Sequence, residues 1–119
     1  MRGERLACRF LRGNGYKILY RNFRGPGGGE IDIVCRDRDT LVFVEVKTRT
    51  REDFGRPFDA VNRAKQQHIS RGGLAWLRLL DNPEVLFRFD VVEVLIAESA
   101  APRLELIRNA FQLPEPYIY

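Results

Sequence analysis

Histidine occurs once in this sequence, at His68, and cysteine only twice, at Cys8 and Cys35. A structural zinc site usually takes four well-spaced cysteine and histidine ligands, so these three residues exclude zinc as an organising centre. Two cysteines do not build a disulfide framework in a chain of 119 residues, and both are expected as reduced thiols. No apolar run approaches the roughly 18 residues that a membrane span requires, and no signal-peptide pattern opens the chain. The expectation is a soluble, cytoplasmic protein. The stretch Gly25-Pro26-Gly27-Gly28-Gly29 lacks the Lys-Ser/Thr that completes a phosphate-binding loop, which excludes that reading and leaves a mobile connection. Repeats, low-complexity tracts and interdomain linkers are missing as well.

What is present suits one globular unit spanning residues 1–119. Apolar residues make up 45% of the chain, enough for a core and too many for disorder. The formal net charge is only +4, but it is unevenly placed. Residues 1–71 hold 16 basic against 9 acidic side chains, and residues 72–119 hold 4 against 7. A basic half favours a polyanionic partner through phosphate neutralisation and counterion release.

Periodicity predicts a helix over residues 2–13, with Leu6, Ala7, Phe10 and Leu11 on one face. Arg2, Arg5, Arg9 and Arg12 form a stripe on another face, either solvated or in contact with phosphates. Glu4 flanks the apolar side. Asn14-Gly15 is a stop signal, and Tyr16 to Asn22 reads as a strand. Glu30 to Arg36 and Thr40 to Thr48 are β-rich runs joined by a charged turn at Arg38-Asp39. Residues 49–58 read as a loop. Asp59 is the expected N-cap of a helix reaching about Leu80, with a kink or split at Gly72-Gly73. Its buried stripe is expected at Val61, Ala64, Ile69, Ala75, Trp76 and Leu79, with Lys65 and His68 turned into it and Arg63, Gln66 and Ser70 away. Val85 to Ala97 and Leu104 to Ile107 are two further strands. Helix, three strands, helix, strands is the order of an α/β mixed sheet with helices packed on it.

The hairpin carries the chemistry. In Leu41-Val42-Phe43-Val44-Glu45-Val46-Lys47, alternation puts Glu45 and Lys47 on one strand face and the three valines on the other. If the turn is centred between Arg38 and Asp39, paired residue numbers sum to 77, so Asp32 faces Glu45 and Glu30 faces Lys47. Paired residues share a face with Cβ atoms about 4.5–5.5 Å apart. Two carboxylates that close repel unless a proton or cation lies between them. Oxygen ligands, joined by a backbone carbonyl such as that of Val46, suit Mg²⁺ or Mn²⁺. Such an ion activates water against a phosphodiester, and Lys47 would hold the water or steady the developing charge. The plainer reading is a charge network of Asp32, Glu45, Glu30 and Lys47 on an exposed sheet face, and a three-residue turn would separate the two acids. Lys65, an inward lysine, needs a carboxylate, a phosphate or a way out to water. His68 reads as a boundary histidine. Asp90, in an apolar strand, is expected to pair with Arg88 or backbone and is not assigned to catalysis.

Gly29-Glu30-Ile31-Asp32-Ile33-Val34 followed by Val42-Phe43-Val44-Glu45-Val46-Lys47-Thr48-Arg49 resembles the signature of the YraN-like family. Those small bacterial proteins are similar to archaeal Holliday-junction resolvases within the PD-(D/E)xK nucleases. The resemblance extends to Gly3-Glu4 with Ala7 and Leu11, Gly15-Tyr16, Arg21-Asn22, Phe54-Gly55, Lys65 and Arg88-Phe89-Asp90-Val91-Val92. It implies a restriction-endonuclease-like fold, a central mixed β-sheet flanked by α-helices. It further implies Asp32 and Glu45 as metal ligands, Lys47 as the catalytic lysine and Glu4 as an accessory acid. The implied substrate is DNA, with Arg49 and Lys65 joining the arginine stripe as candidate contacts, and the implied assembly a homodimer. Two other functions remain open on this sequence: a nucleic-acid-binding module without chemistry, and an adaptor docking on a DNA-processing protein through the apolar segment from Phe111 to Tyr119.

Overall fold

In the computed structural model, which describes residues 2–49, 61–81, 83–97 and 100–113, seven elements follow one another along the chain. Helix α1 spans Arg2–Gly13 and buries Ala7, Cys8 and Leu11. It stops where Gly15 adopts φ +89°, a left-handed conformation that costs glycine little. The Tyr16 N–H then closes on the Leu11 carbonyl at 3.0 Å, capping the helix end. Strand β1, Lys17–Arg24, begins and ends slightly later than expected. Strands β2 (Glu30–Asp37) and β3 (Thr40–Arg49) form a hairpin around Arg38 and Asp39, with Arg38 at φ +58°. Helix α2, Arg63–Leu79, leads to β4, Leu86–Leu95, and β5, Arg103–Phe111.

The five strands lie in the order β1-β2-β3-β4-β5. Only β3 and β4 run parallel, as their connection through α2 allows; the other neighbours are antiparallel. This is a mixed α/β sheet flanked by two helices, compatible with the expected restriction-endonuclease-like architecture. On one face Ala7, Cys8 and Leu11 of α1 meet Ile33, Cys35, Val42, Val44, Val92 and Val94. On the other, Ile69, Ala75 and Leu77 of α2 meet Val34, Leu41, Phe43 and Phe89. Both cysteines are free and buried.

The hairpin register is the expected one: Asp37 pairs Thr40, Cys35 pairs Val42 and Ile33 pairs Val44. The ladder ends there, so the projected pairing of Glu30 with Lys47 does not form. Glu30 instead pairs Arg24 across the β1–β2 ladder, its Oε1 lying 3.4 Å from the Arg24 Nε. The reason lies in β2, where Ile31 and Ile33 pack into clusters on opposite sheet faces although strict alternation would place them together.

Helix α2 also differs from expectation in detail. Asn62 is its N-cap, its side chain accepting from the Lys65 N–H at 2.9 Å, and Asp59 lies outside the described residues. The helix passes through Gly72-Gly73 without a break. Its buried side is centred on Gly73, with Ile69, Ser70 and Leu77 beside it, so Ser70 is fully buried while Ala64 and Leu79 are exposed. A hydrophobicity stripe ignores glycine, yet here glycine marks the closest approach. A Cβ on Gly72 would stand 2.9 Å from the Glu30 carbonyl carbon, and one on Gly73 3.1 Å from the Phe43 ring.

Candidate active site

Where β2 leaves β3, the Asp32 side chain replaces the backbone as hydrogen-bonding partner. Its Oδ2 accepts the Val46 N–H at 2.8 Å. This bond carries the Asp32 carboxylate to the next residue on β3, Glu45, which packs on the α2 face and is only 7% exposed. The sequence-predicted meeting of the two acids is therefore present, although the strands no longer form a ladder at that point.

Glu45 is the most perturbed acid of the site. Burial, then hydrogen bonding to Asp32, then the Asp32 charge push its carboxyl from 4.5 up to about 8, against the opposing pull of Lys65. Near neutral pH the Glu45 carboxyl thus keeps its proton. Lys65 reaches down from the first turn of α2, its Nζ 3.3 Å from the Glu45 Oε2. The approach is an ion pair without hydrogen-bond alignment, and the buried Oε2 accepts no hydrogen bond. The inward lysine of the sequence thus finds its carboxylate, with its own side chain half exposed.

Lys47 lies on the same strand face two residues further on and is half-buried. Among the described residues it forms no ion pair. Its neighbour in register on β4 is Glu93, buried at 3% exposure. Glu93 pairs instead with Arg49, the last residue of β3, Nε to Oε2 3.6 Å. Arg49 is buried as well, so it is placed within the sheet face and not on its surface.

Glu4 is buried on α1, and the Asn22 amide, when oriented with its nitrogen toward the acid as the two acceptor oxygens require, donates to them at 2.7 and 3.2 Å. Asn22, at φ +56°, sits between the pairs Arg21–Ile33 and Phe23–Ile31, level with Asp32. Glu4 therefore borders the site through Asn22. No group of three or more acidic, histidine or cysteine side chains forms a ready-made metal cage among the described residues. Arg2, Arg5, Arg9 and Arg12 are all exposed along α1, on the sheet face opposite the α2 face that holds Glu45 and Lys65. His68 Nε2 stands 3.9 Å from Glu30 at the margin.

The donor set fits a hard divalent cation. Two adjacent carboxylates, one with a buried oxygen that accepts no hydrogen bond, are oxygen ligands of the kind magnesium takes. Asp90, as expected, has a structural role on the other face of the sheet. It accepts from the Tyr16 hydroxyl at 3.0 Å, from the Arg88 Nε at 3.0 Å and from the Asn109 N–H at 2.9 Å.

Two residues of the site escaped the sequence reading. Glu93 stands in the apolar run Val91-Val92-Glu93-Val94, and the cost of burying a charge there was the available signal. Asn22 offered no chemical signal, and its left-handed backbone, φ +56°, is visible only in the fold.

Comparison with known proteins agrees with this picture at the level of family. Residues 3–94 match the family model described as "Uncharacterised protein family UPF0102". The chain is similar to a UPF0102 protein of Geobacter sulfurreducens, 50% identical over 95% of this chain and 88% of that protein. It is 48% identical to one from Geobacter metallireducens, over 94% of this chain and 90% of the relative. A UPF0102 protein of Nocardia farcinica is 45% identical over 92% and 85% respectively.

Proposed function

The chain belongs to the UPF0102 family, the YraN-like proteins, and from that membership and its carboxylate site we propose that it is a Mg²⁺- or Mn²⁺-dependent endonuclease hydrolysing DNA phosphodiesters, including branched or structured forms. One observation carries the proposal. Asp32 and Glu45 converge at the end of an apolar strand, and beside them Lys47 forms no ion pair among the described residues, an arrangement costly to fold.

Asp32 and Glu45 would hold the cation, with the Val46 carbonyl a candidate third oxygen; when bound, the cation polarises a phosphoryl oxygen and supplies an activated water. The Val46 N–H orients Asp32. Lys65 is the counter-charge to Glu45 and, with its side chain half exposed, would be available to a phosphate if a cation took that role. Lys47 is placed to steady the developing negative charge or to hold the attacking water. Glu4, fixed by Asn22, borders this group and is the accessory acid in this reading.

The test is cleavage of junction, flap, single-stranded and duplex DNA with Mn²⁺ by wild type, Asp32→Ala and Lys47→Ala. Activity in wild type with a loss of at least about 100-fold in both variants is expected. Equal activity in all three proteins ends the proposal.

A second reading, binding without chemistry, is favoured by one observation. The exposed arginines of α1 lie on the face away from the carboxylates. It predicts salt-sensitive DNA binding that survives Glu45→Ala and needs no cation.

A further inference from the structure

On the α2 face of the sheet, β3 presents Glu45, Lys47 and Arg49, and β4 presents Glu93 directly beside Lys47. Residues paired in register across neighbouring strands project to the same face at close range. The simplest outcome is a Lys47–Glu93 ion pair, since Glu93 is buried and meets a like charge, exposed Glu105, on its β5 side. That pair is not made. Glu93 turns to Arg49, one step diagonally along β3, at 3.6 Å.

The Arg49–Glu93 contact is a poor one by the standard of this molecule. Arg88, on the other sheet face, reaches Asp90, Asp37 and Tyr16 with hydrogen bonds of 3.0, 2.9 and 2.6 Å. Arg49 is buried, only 8% exposed, yet its Nε and Nη2 form no hydrogen bond. A buried guanidinium with idle donors is expensive, and a pair retained only for stability would be expected to close to a bidentate geometry.

We propose that Arg49 is a positioning residue whose function is to occupy Glu93, so that the Lys47 ammonium stays uncommitted beside Glu45. This rests on the reading of Lys47 as the group that acts on substrate. The charge count supports it: of the two β3 cations within reach of Glu93, the one nearer in register is the one left free.

Four proteins test this: Arg49→Met, Arg49→Lys, Glu93→Gln and the double variant Arg49→Met/Glu93→Gln. Each is examined by thermal unfolding, by crystal structure and by DNA cleavage with Mn²⁺. In Arg49→Met, Glu93 captures Lys47, its Nζ moves within about 4 Å of the carboxylate as an ion pair requires, and kcat falls roughly 10- to 100-fold with little change in KM. Arg49→Lys keeps the counter-charge and most of the activity. Glu93→Gln retains near wild-type activity, because nothing remains to capture Lys47. The double variant recovers most of what Arg49→Met loses, although it lacks the ion pair altogether.

A double variant no better than Arg49→Met, or a Glu93→Gln protein that loses activity while remaining folded, overturns the proposal. So does an Arg49→Met structure in which Lys47 stays where it is. If wild type cleaves none of the four DNA forms, the nuclease reading fails separately, and the displacement of Lys47 in the Arg49→Met crystal alone decides the role of Arg49. If Arg49→Met does not fold, the activity of Glu93→Gln decides it.

Discussion

The side chain that most constrains this molecule's behaviour is Glu45. Its carboxyl titrates near 8 in the folded chain against an ordinary 4.5, so between those values the folded state holds a proton that the unfolded state releases. Stability therefore falls as pH rises through that window, by up to ~1.4 kcal/mol for each unit. Glu45→Gln removes the dependence. The variant is expected to melt higher than wild type at pH 8.5, by the equivalent of about 1–3 kcal/mol, and with little difference at pH 4. Lys65 opposes the shift, so Lys65→Met raises the Glu45 midpoint further, which carbon-13 NMR of the carboxyl measures. A midpoint that is unchanged or lower shows that Lys65 does not face Glu45 in solution.

At the scale of elements, the approach of α2 to β2 decides whether Lys65 can reach Glu45 at all. Gly72 lies against the Glu30 backbone, and a Cβ on Gly29 would in turn collide with the Gly72 nitrogen. Gly72→Ala must lift the helix from the sheet, with an expected cost of about 1–3 kcal/mol. Gly13→Ala is the control: a Cβ there meets nothing within 4 Å, and the change is expected to lie within about 1 kcal/mol of wild type. Denaturant unfolding of the two variants checks both, and equal stabilities would show that the close approach is unimportant.

These elements also show what a sequence can disclose. The β2–β3 register was legible, because a two-residue turn and the alternation of Val42, Val44 and Val46 leave little freedom. Asp32 near Glu45 was expected from it, although the ladder stops at Ile33–Val44 and the bond from the Val46 N–H to Asp32 brings the acids together. The separation of β2 from β3 before Ile33 was not legible, since it depends on a side chain taking over a backbone hydrogen bond. Nor was the true buried side of α2, where the residues closest to the sheet carry no side chain. The Arg49–Glu93 pair joins strands far apart in the chain, and no local pattern announces which of two lysine and arginine neighbours a buried glutamate will choose.

At the scale of the whole molecule, basic charge is distributed over two layers. Lys47, Lys65 and Arg49 gather at the carboxylates, while the α1 arginines line the opposite side of the sheet. If the stripe contacts DNA, Arg5→Gln/Arg9→Gln weakens binding and reduces the slope of log K against log salt by up to about 0.9 per lost contact on duplex. Cleavage at saturating DNA stays near wild type. Anisotropy titrations at several salt concentrations measure the slope, and an unchanged value removes α1 from the binding surface.

The proton that Glu45 keeps near neutral pH gives the proposed cation site a readout of its own. If Glu45 ligates a divalent ion as proposed, it must give up that proton, so loading near pH 7 would liberate close to one hydrogen ion per equivalent, and loading above pH 9 almost none. In weakly buffered solution the uptake would announce itself as acidification, visible with an indicator dye before any nucleic acid is added.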